Sequence, residues 1–259
     1  MATQRKHKRR SPRQKGRFFR LYILLSALLI AAAVVAGSVV FFRAHDFVVE
    51  GNERYSAEEL LEASGIQEGE NLLLIPCAEI AGRMERELPY LRQVTVSIWP
   101  PERVILRVEE TQPAAVVDSG GTLWYIDSEG KLLERASESG GLTEVSGLTL
   151  LSPSEGTQLA VSEEEDLKAR ALLALLTALE ERDMISNAQS VDLTSSSTVV
   201  MRYDGRLTVR MGLGDDFDYD VKMLQSVLTE YIDVNWAEDD TGTLDMTQEE
   251  GEAVLSRDD

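Results

Sequence analysis

The run VTVSIWPPERVILRV, residues 94–108, decides how the folded part of this chain is built. Val94, Val96 and Ile98 alternate with Thr95, Ser97 and Trp99. After the break at Pro100-Pro101, Val104, Leu106 and Val108 alternate with Arg103, Ile105 and Arg107. A period of two marks a half-buried strand, and two such runs around a breaker mark an antiparallel hairpin. The pattern predicts Val96, Ile98 and Leu106 on the core face, covered by Ile80 and Met84. A slip of one residue would exchange the two faces.

Upstream of the hairpin, Phe47-Val48-Val49-Glu50 reads as a short strand closed by the turn pair Gly51-Asn52. Ser56 with Glu59 three residues later is a capping box, and Leu60, Leu61 and Ala63 give the helix behind it an apolar face. Gly65 stands where a helix ends in a left-handed residue. Pro76 suits the first turn of a second helix, whose Cys77, Ile80, Ala81, Met84 and Leu88 recur at three- and four-residue spacing. Residues 47–110 therefore read as β-α-α-β-β.

Downstream, the texture is strand-rich. Short strands are predicted over residues 115–117, 122–126, 131–133, 142–145, 191–193, 199–203 and 207–211. Asp204-Gly205 between the last two is a two-residue hairpin signal. Helices are predicted over 167–179, behind the acids Glu163-Glu164-Glu165-Asp166 that suit a helix N-terminus, and over 219–231. Residues 232–236 and 243–246 are expected to close the sheet, and residues 247–259 to form a solvated acidic tail.

The N-terminal part of the chain is electrically different. Residues 1–20 hold nine Lys and Arg and no acid, and residues 21–42 carry no charge at all. Twenty-two residues at helical rise cover roughly 33 Å, enough to cross a bilayer core. A basic flank stays cytoplasmic, which places the bulk of the chain outside. The competing reading is a cleaved secretory signal, with Val34 and Ala36 before Gly37. Against it, the apolar run continues through Val39, Val40, Phe41 and Phe42, beyond the length of a signal core.

Of the 26 Lys and Arg, nine sit in the tail and one at Arg43, leaving 16 against all 45 Asp and Glu in residues 44–259. That exterior carries a net charge of −29. Such a surface repels nucleic acid and polyanionic wall polymers. A single cysteine, Cys77, excludes an intrachain disulfide framework. Histidine is confined to His7 and His45, too few for a His/Cys zinc site. Asp216, Asp218 and Asp220 alternate as in a calcium loop, but its sixth position would be Val221 and its twelfth Val227. No cofactor, metal or small-molecule substrate is expected.

The ordered series Val49-Glu50-Gly51-Asn52, Ser56 and Glu59, Gly65-Ile66, Gly69-Glu70-Asn71-Leu72-Leu73, Leu88-Pro89-Tyr90, Val94-Thr95-Val96, Trp99-Pro100, Val108-Glu109-Glu110 and Gln112-Pro113-Ala114-Ala115 resembles the POTRA module of the bacterial cell-division proteins FtsQ/DivIB. Tyr125-Ile126-Asp127 with Gly130, and Gly242-Thr243-Leu244-Asp245-Met246, resemble that family's β domain and its closing strand. The resemblance implies an α+β fold: a basic cytoplasmic tail over 1–20, a single transmembrane helix over 21–42, a β-α-α-β-β POTRA-like domain over 44–113, a mixed, strand-rich β domain with two helices over 114–247, and an acidic tail over 248–259. It implies no catalysis. It implies a bitopic division scaffold at the septum of the cell membrane, binding FtsB/DivIC-like and FtsL-like bitopic proteins and regulating the septal peptidoglycan synthesis machinery.

Two other classes stand beside it: a membrane-anchored, peptide-binding chaperone-like POTRA protein, and an anchored cell-wall enzyme. If residues 243–246 form the last strand, one of its edges is unpaired and open to strand addition by a partner. Tyr231, Thr243, Leu244, Asp245 and Met246 are the candidate partner-binding residues.

Overall fold

The computed structural model describes residues 17–214, 216–237, 239–248 and 253–258; most of the predicted basic tail lies outside them. The chain forms two compact units, one of Met1–Val48, Ile66–Ile75 and Ser97–Ile105, the other of Val49–Gly65, Pro76–Val96 and Leu106–Asp259.

The first unit begins with helix α1 (Arg17–Phe41), whose stretch Leu21–Ser38 has a mean hydropathy of 2.3 and no buried residue. Strand β1 (Asp46–Glu50) follows. The unit also holds the loop up to Ile75, with a short 3₁₀ turn Leu72–Leu74, and the tip of the hairpin. Ala44, Leu72, Ile75 and Val104 are its buried apolar residues.

In the second unit, α2 (Ala57–Ser64) opens on the predicted capping box: Ser56 Oγ accepts from the Glu59 amide at 3.2 Å, and Glu59 Oε2 accepts from the Ser56 amide at 2.8 Å. Helix α3 (Cys77–Glu87) packs against α2, with Ile80 and Met84 buried. Cys77 at its start is half-buried, and burial pushes its thiol pKa up. Strands β2 (Leu91–Trp99) and β3 (Arg103–Glu110) are the predicted hairpin, in a three-stranded sheet of order β1-β3-β2. Val94, Val96, Leu106 and Val108 are buried, so the predicted register holds. Ile98 is only half-buried, because it lies one residue from the end of β2, where the core thins out.

The rest is a nine-stranded mixed sheet. Strands β4 (Ala115–Ser119), β5 (Thr122–Ile126) and β6 (Leu132–Ala136) form an antiparallel meander, while β7 (Thr143–Ser146) returns parallel to β4. Helix α4 (Asp166–Glu180) connects β7 to β8 (Ala188–Asp192), again parallel. Strands β9 (Thr198–Tyr203) and β10 (Leu207–Gly212) are antiparallel, and α5 (Phe217–Val227) connects β10 to the parallel β11 (Gly242–Asp245). The last strand is β12 (Val254–Arg257), and the order across the sheet is β12-β11-β10-β9-β8-β7-β4-β5-β6. Two parallel neighbours need a long crossover, which α4 and α5 supply. Both helices belong to the core on one sheet face, with Leu172, Leu175, Leu176, Val221 and Leu224 buried; Glu144, Asp192, Arg202 and Arg210 are exposed.

Three expectations are corrected. Residues 232–236 are not a strand: α5 runs on through a π-helical turn Leu228–Ile232 and a helical turn Asp233–Asn235. The reason is periodicity, since Val221, Leu224, Leu228 and Ile232 are all buried at helical spacing. The turn between β9 and β10 takes three residues, 204–206, with Tyr203 opposite Leu207. The expected solvated tail contains β12, which pairs with β11, so residues 243–246 are not the outermost strand.

Candidate partner-binding edge

The nine-stranded sheet has two ends. At one, the start of β6 is covered by its own chain: the Leu132 amide donates to Thr157 O at 2.8 Å, the Gly156 amide donates to Leu132 O at 2.8 Å, and Lys131 bridges Gln158. At the other end, beyond β12, no further strand is paired among the described residues. An uncovered edge of this kind presents a row of backbone donors and acceptors to another chain.

Register fixes which groups face outward. Gly242, Thr243, Leu244 and Asp245 lie opposite Arg257, Ser256, Leu255 and Val254. Just past this ladder the Asp258 amide donates to Thr241 O at 2.9 Å. Backbone direction alternates along a strand, so the amides of Ser256 and Val254 also face β11, while those of Leu255 and Arg257 face away from it. The Ser256 hydroxyl adds a bond to β11, donating to Thr243 O at 3.3 Å.

The helical side of this edge is apolar. Val227, Tyr231, Trp236, Leu244, Leu255 and Arg257 line an open hollow of about 510 Å³. Leu255 lies directly across from the fully buried Leu244 and is itself half-buried. Tyr231, Val234 and Val254 are exposed. The edge is held at its end by ion pairing of Arg257 with Asp240 and by a 2.9 Å bond from Thr241 Oγ1 to Asp258 Oδ2. Gly242 lets the layers approach: a Cβ there would lie 2.4 Å from Trp236 Cη2 and 2.5 Å from Ser256 O.

The sequence-predicted residues take different places around this edge. Tyr231 is exposed on the π-helical turn, with its carbonyl accepting from Asn235 Nδ2 at 2.8 Å. Leu244 and Met246 point into the core, and Thr243 and Asp245 alternate with them, half-buried. Asp245 Oδ1 accepts from Thr247 Oγ1 at 2.6 Å and from its amide at 3.0 Å; these bonds hold its carboxyl below the usual range. Residues 243–245 therefore lie in the second strand from the edge, between β10 and β12, with Met246 just past its end. Val254, Leu255 and Arg257 were missed. The signal was Ala253-Val254-Leu255, an apolar triplet inside an otherwise polar terminus.

The alternating acids near α5 serve local structure. Asp216 caps the helix, accepting from the Asp218 amide at 3.2 Å, and Asp218 pairs with Arg182 at 2.6 Å. Asp220 is buried.

Residues 42–111 match the family model for the FtsQ-type POTRA domain. The chain is 27% identical over 227 residues to the cell division protein FtsQ of Syntrophotalea carbinolica, covering 80% of this chain and 77% of that protein. It is 29% identical over 187 residues to FtsQ of Corynebacterium glutamicum, covering 71% and 77%. It is 26% identical over 171 residues to the cell division protein DivIB of Clostridium acetobutylicum, covering 65% and 66%.

Proposed function

Because the chain belongs to the FtsQ/DivIB family of cell-division proteins, we propose that it is a single-pass scaffold of the division machinery that works by binding, not catalysis. In this reading residues 21–42 span the membrane, the basic tail stays inside, and the protein concentrates at the septum. Residues 44–113 and 114–247 act as its POTRA-like and β domains. Its partners are small bitopic division proteins of the FtsB/DivIC and FtsL types, and through them it regulates septal peptidoglycan synthesis.

The observation that carries the reading is the outward-facing edge of β12 beside the hollow at Tyr231 and Trp236. Backbone bonds from an added strand supply affinity, and alternate side chains entering the hollow supply specificity. Tyr231 and Leu255 contact the partner directly. Thr243, Leu244, Asp245 and Met246 support the edge strand from the inside. A partner strand carrying basic residues is favoured by the −29 charge of the exterior.

The test adds a purified FtsB/DivIC-type protein to the full chain in nanodiscs and follows backbone amide exchange. The amides of Leu255 and Arg257 slow on binding. Arg257→Pro removes an outward donor and weakens binding, whereas Arg257→Ala keeps the donor and binds more tightly than the proline variant. Protection confined to other segments, or equal binding by the proline and alanine variants, overturns strand addition. Depletion that disturbs export without causing filaments would overturn the division role itself.

A further inference from the structure

The first residues beyond α1 carry two separate loops. The Leu72 amide donates to Phe42 O at 3.1 Å, the Ala44 amide donates to Glu70 O at 2.9 Å, and the Gly69 amide donates to Ala44 O at 2.7 Å. Arg43 bridges Asn71 and donates through Nη1 to Gly69 O at 3.1 Å. The hairpin turn is tied to the same stretch: the amides of His45 and Asp46 donate to Glu102 O at 2.9 and 3.1 Å. Both loops are thus fastened within five residues of Phe41, where α1 ends.

Each loop turns large apolar side chains outward at that place. In the Leu72–Leu74 turn, Leu72 is fully buried, while Leu73 is 58% and Leu74 75% exposed. Trp99, at the end of β2 next to the hairpin turn, is 62% exposed. Scattered surface leucines need no explanation, but these are gathered on loops tied to the end of an apolar helix.

We propose that Leu73, Leu74 and Trp99 dock on the outer leaflet of the bilayer, at the boundary between headgroups and acyl chains. This rests on residues 21–42 being a membrane span. Continuity selects lipid as the occupant: a loop bonded to the chain as it leaves the span is held at the level of the interface. Tryptophan favours that boundary, with its ring in apolar surroundings and its N–H in the headgroups. Two leucines add apolar area of the kind that anchors interfacial segments. Glu68, Glu70 and Glu102 on the same loops keep insertion shallow, since their carboxylates stay in water. Arg43 sits where a lipid phosphate can pair with it.

The test places single cysteines at Leu73 and Leu74 of the full chain, in a Cys77→Ala background, and labels them with an environment-sensitive fluorophore. The protein is reconstituted in phosphatidylcholine/phosphatidylglycerol nanodiscs containing lipids with a spin quencher near the headgroup. A label at Leu29, with a deep quencher, reports the span, and one at the exposed Leu151 sets the baseline. Docking gives a blue shift and quenching at positions 73 and 74 well above that baseline, both reduced by Trp99→Glu. Quenching at 29 with only baseline quenching at 73 and 74 overturns docking and leaves the span intact. Loss of quenching at 29 overturns the span, and docking with it.

Discussion

The Lys131 ammonium donates to the carbonyl oxygen of Leu91 at 2.6 Å, with the lysine only 7% exposed. A second 2.6 Å bond runs to Glu85 O in the last turn of α3, where helix carbonyls lack partners and a cation is favourable. Burial pushes the lysine pKa down, opposed by Asp127 and Glu85. The amide of the same residue donates to Asp127 Oδ1 at 2.8 Å, so one residue ties the β5–β6 turn to α3 and β2. Nearby, Tyr90 donates to Glu134 at 2.8 Å, and Arg54 stacks 3.6 Å from the Tyr90 ring centre. Lys131→Met keeps the apolar stem but strands two carbonyls, and is expected to cost about 1–3 kcal/mol. Thermal unfolding of the detergent-solubilised chain checks it; an unchanged midpoint means the two bonds only offset the cost of burying the charge.

Burial within the hairpin predicts a graded mutational response. Leu106 is almost wholly buried and Ile98 only half so. Truncating a buried leucine to alanine costs about 2–5 kcal/mol, so Leu106→Ala is expected to lower the melting temperature clearly. Ile98→Ala should lower it by visibly less. Equal effects would mean that Ile98 is packed as deeply as Leu106.

The hairpin and α2 were legible because their signals are local: alternation, a capping box and a breaker all act within a few residues. Helix α4 was legible for the same reason, with an apolar stripe behind an acidic start. Residues 232–236 were misread because Ile232, Val234 and Trp236 alternate like a strand, while the burial that wins is the helical stripe ending at Ile232. Strand β12 was missed because four residues overlapping one apolar triplet carry no alternating pattern, and only its pairing with β11 makes it a strand. The Glu110 carboxylate was missed too. It accepts from the amides of Glu53, Arg54 and Tyr55 at 3.1, 2.6 and 3.1 Å, holding a turn more than fifty residues away in sequence.

Two carboxyls predict the acid limb of stability. Hydrogen bonds from Thr194 to Asp192 and from Thr247 to Asp245 lower both pKa values below the ordinary 3.8. A folded pKa below the unfolded one gives stability that is present above 3.8 and is lost as pH falls through the lower folded value. Unfolding midpoints measured from neutral pH into this acid range should therefore decline less steeply in Asp192→Asn and Asp245→Asn than in the parent. Superimposable profiles would show that these bonds persist in the unfolded chain or contribute nothing.

Gly242 offers the sharpest separation of edge integrity from overall folding. A Cβ at this position meets Trp236 Cη2 at 2.4 Å and Ser256 O at 2.5 Å, far inside contact distance. Trp236 can swing on a flexible side chain, but Ser256 O belongs to the backbone of β12, so the edge strand must move. Gly242↔Arg257 is one end of the four-residue ladder joining β11 to β12, leaving few bonds to resist displacement. Strand β11 itself is also held by its parallel pairing with β10, through Leu207, Thr208, Val209 and Arg210. Gly242→Ala is therefore expected to speed amide exchange at Val254 and Ser256, whose donors face β11, while exchange in β9 and β10 stays as in the parent. If strand addition at β12 is the binding mode, the same variant also loses affinity for the FtsB/DivIC-type partner. Faster exchange with undiminished binding would place the partner elsewhere; unchanged exchange at 254 and 256 would show that β11, not the β11–β12 ladder, gives way to the added methyl.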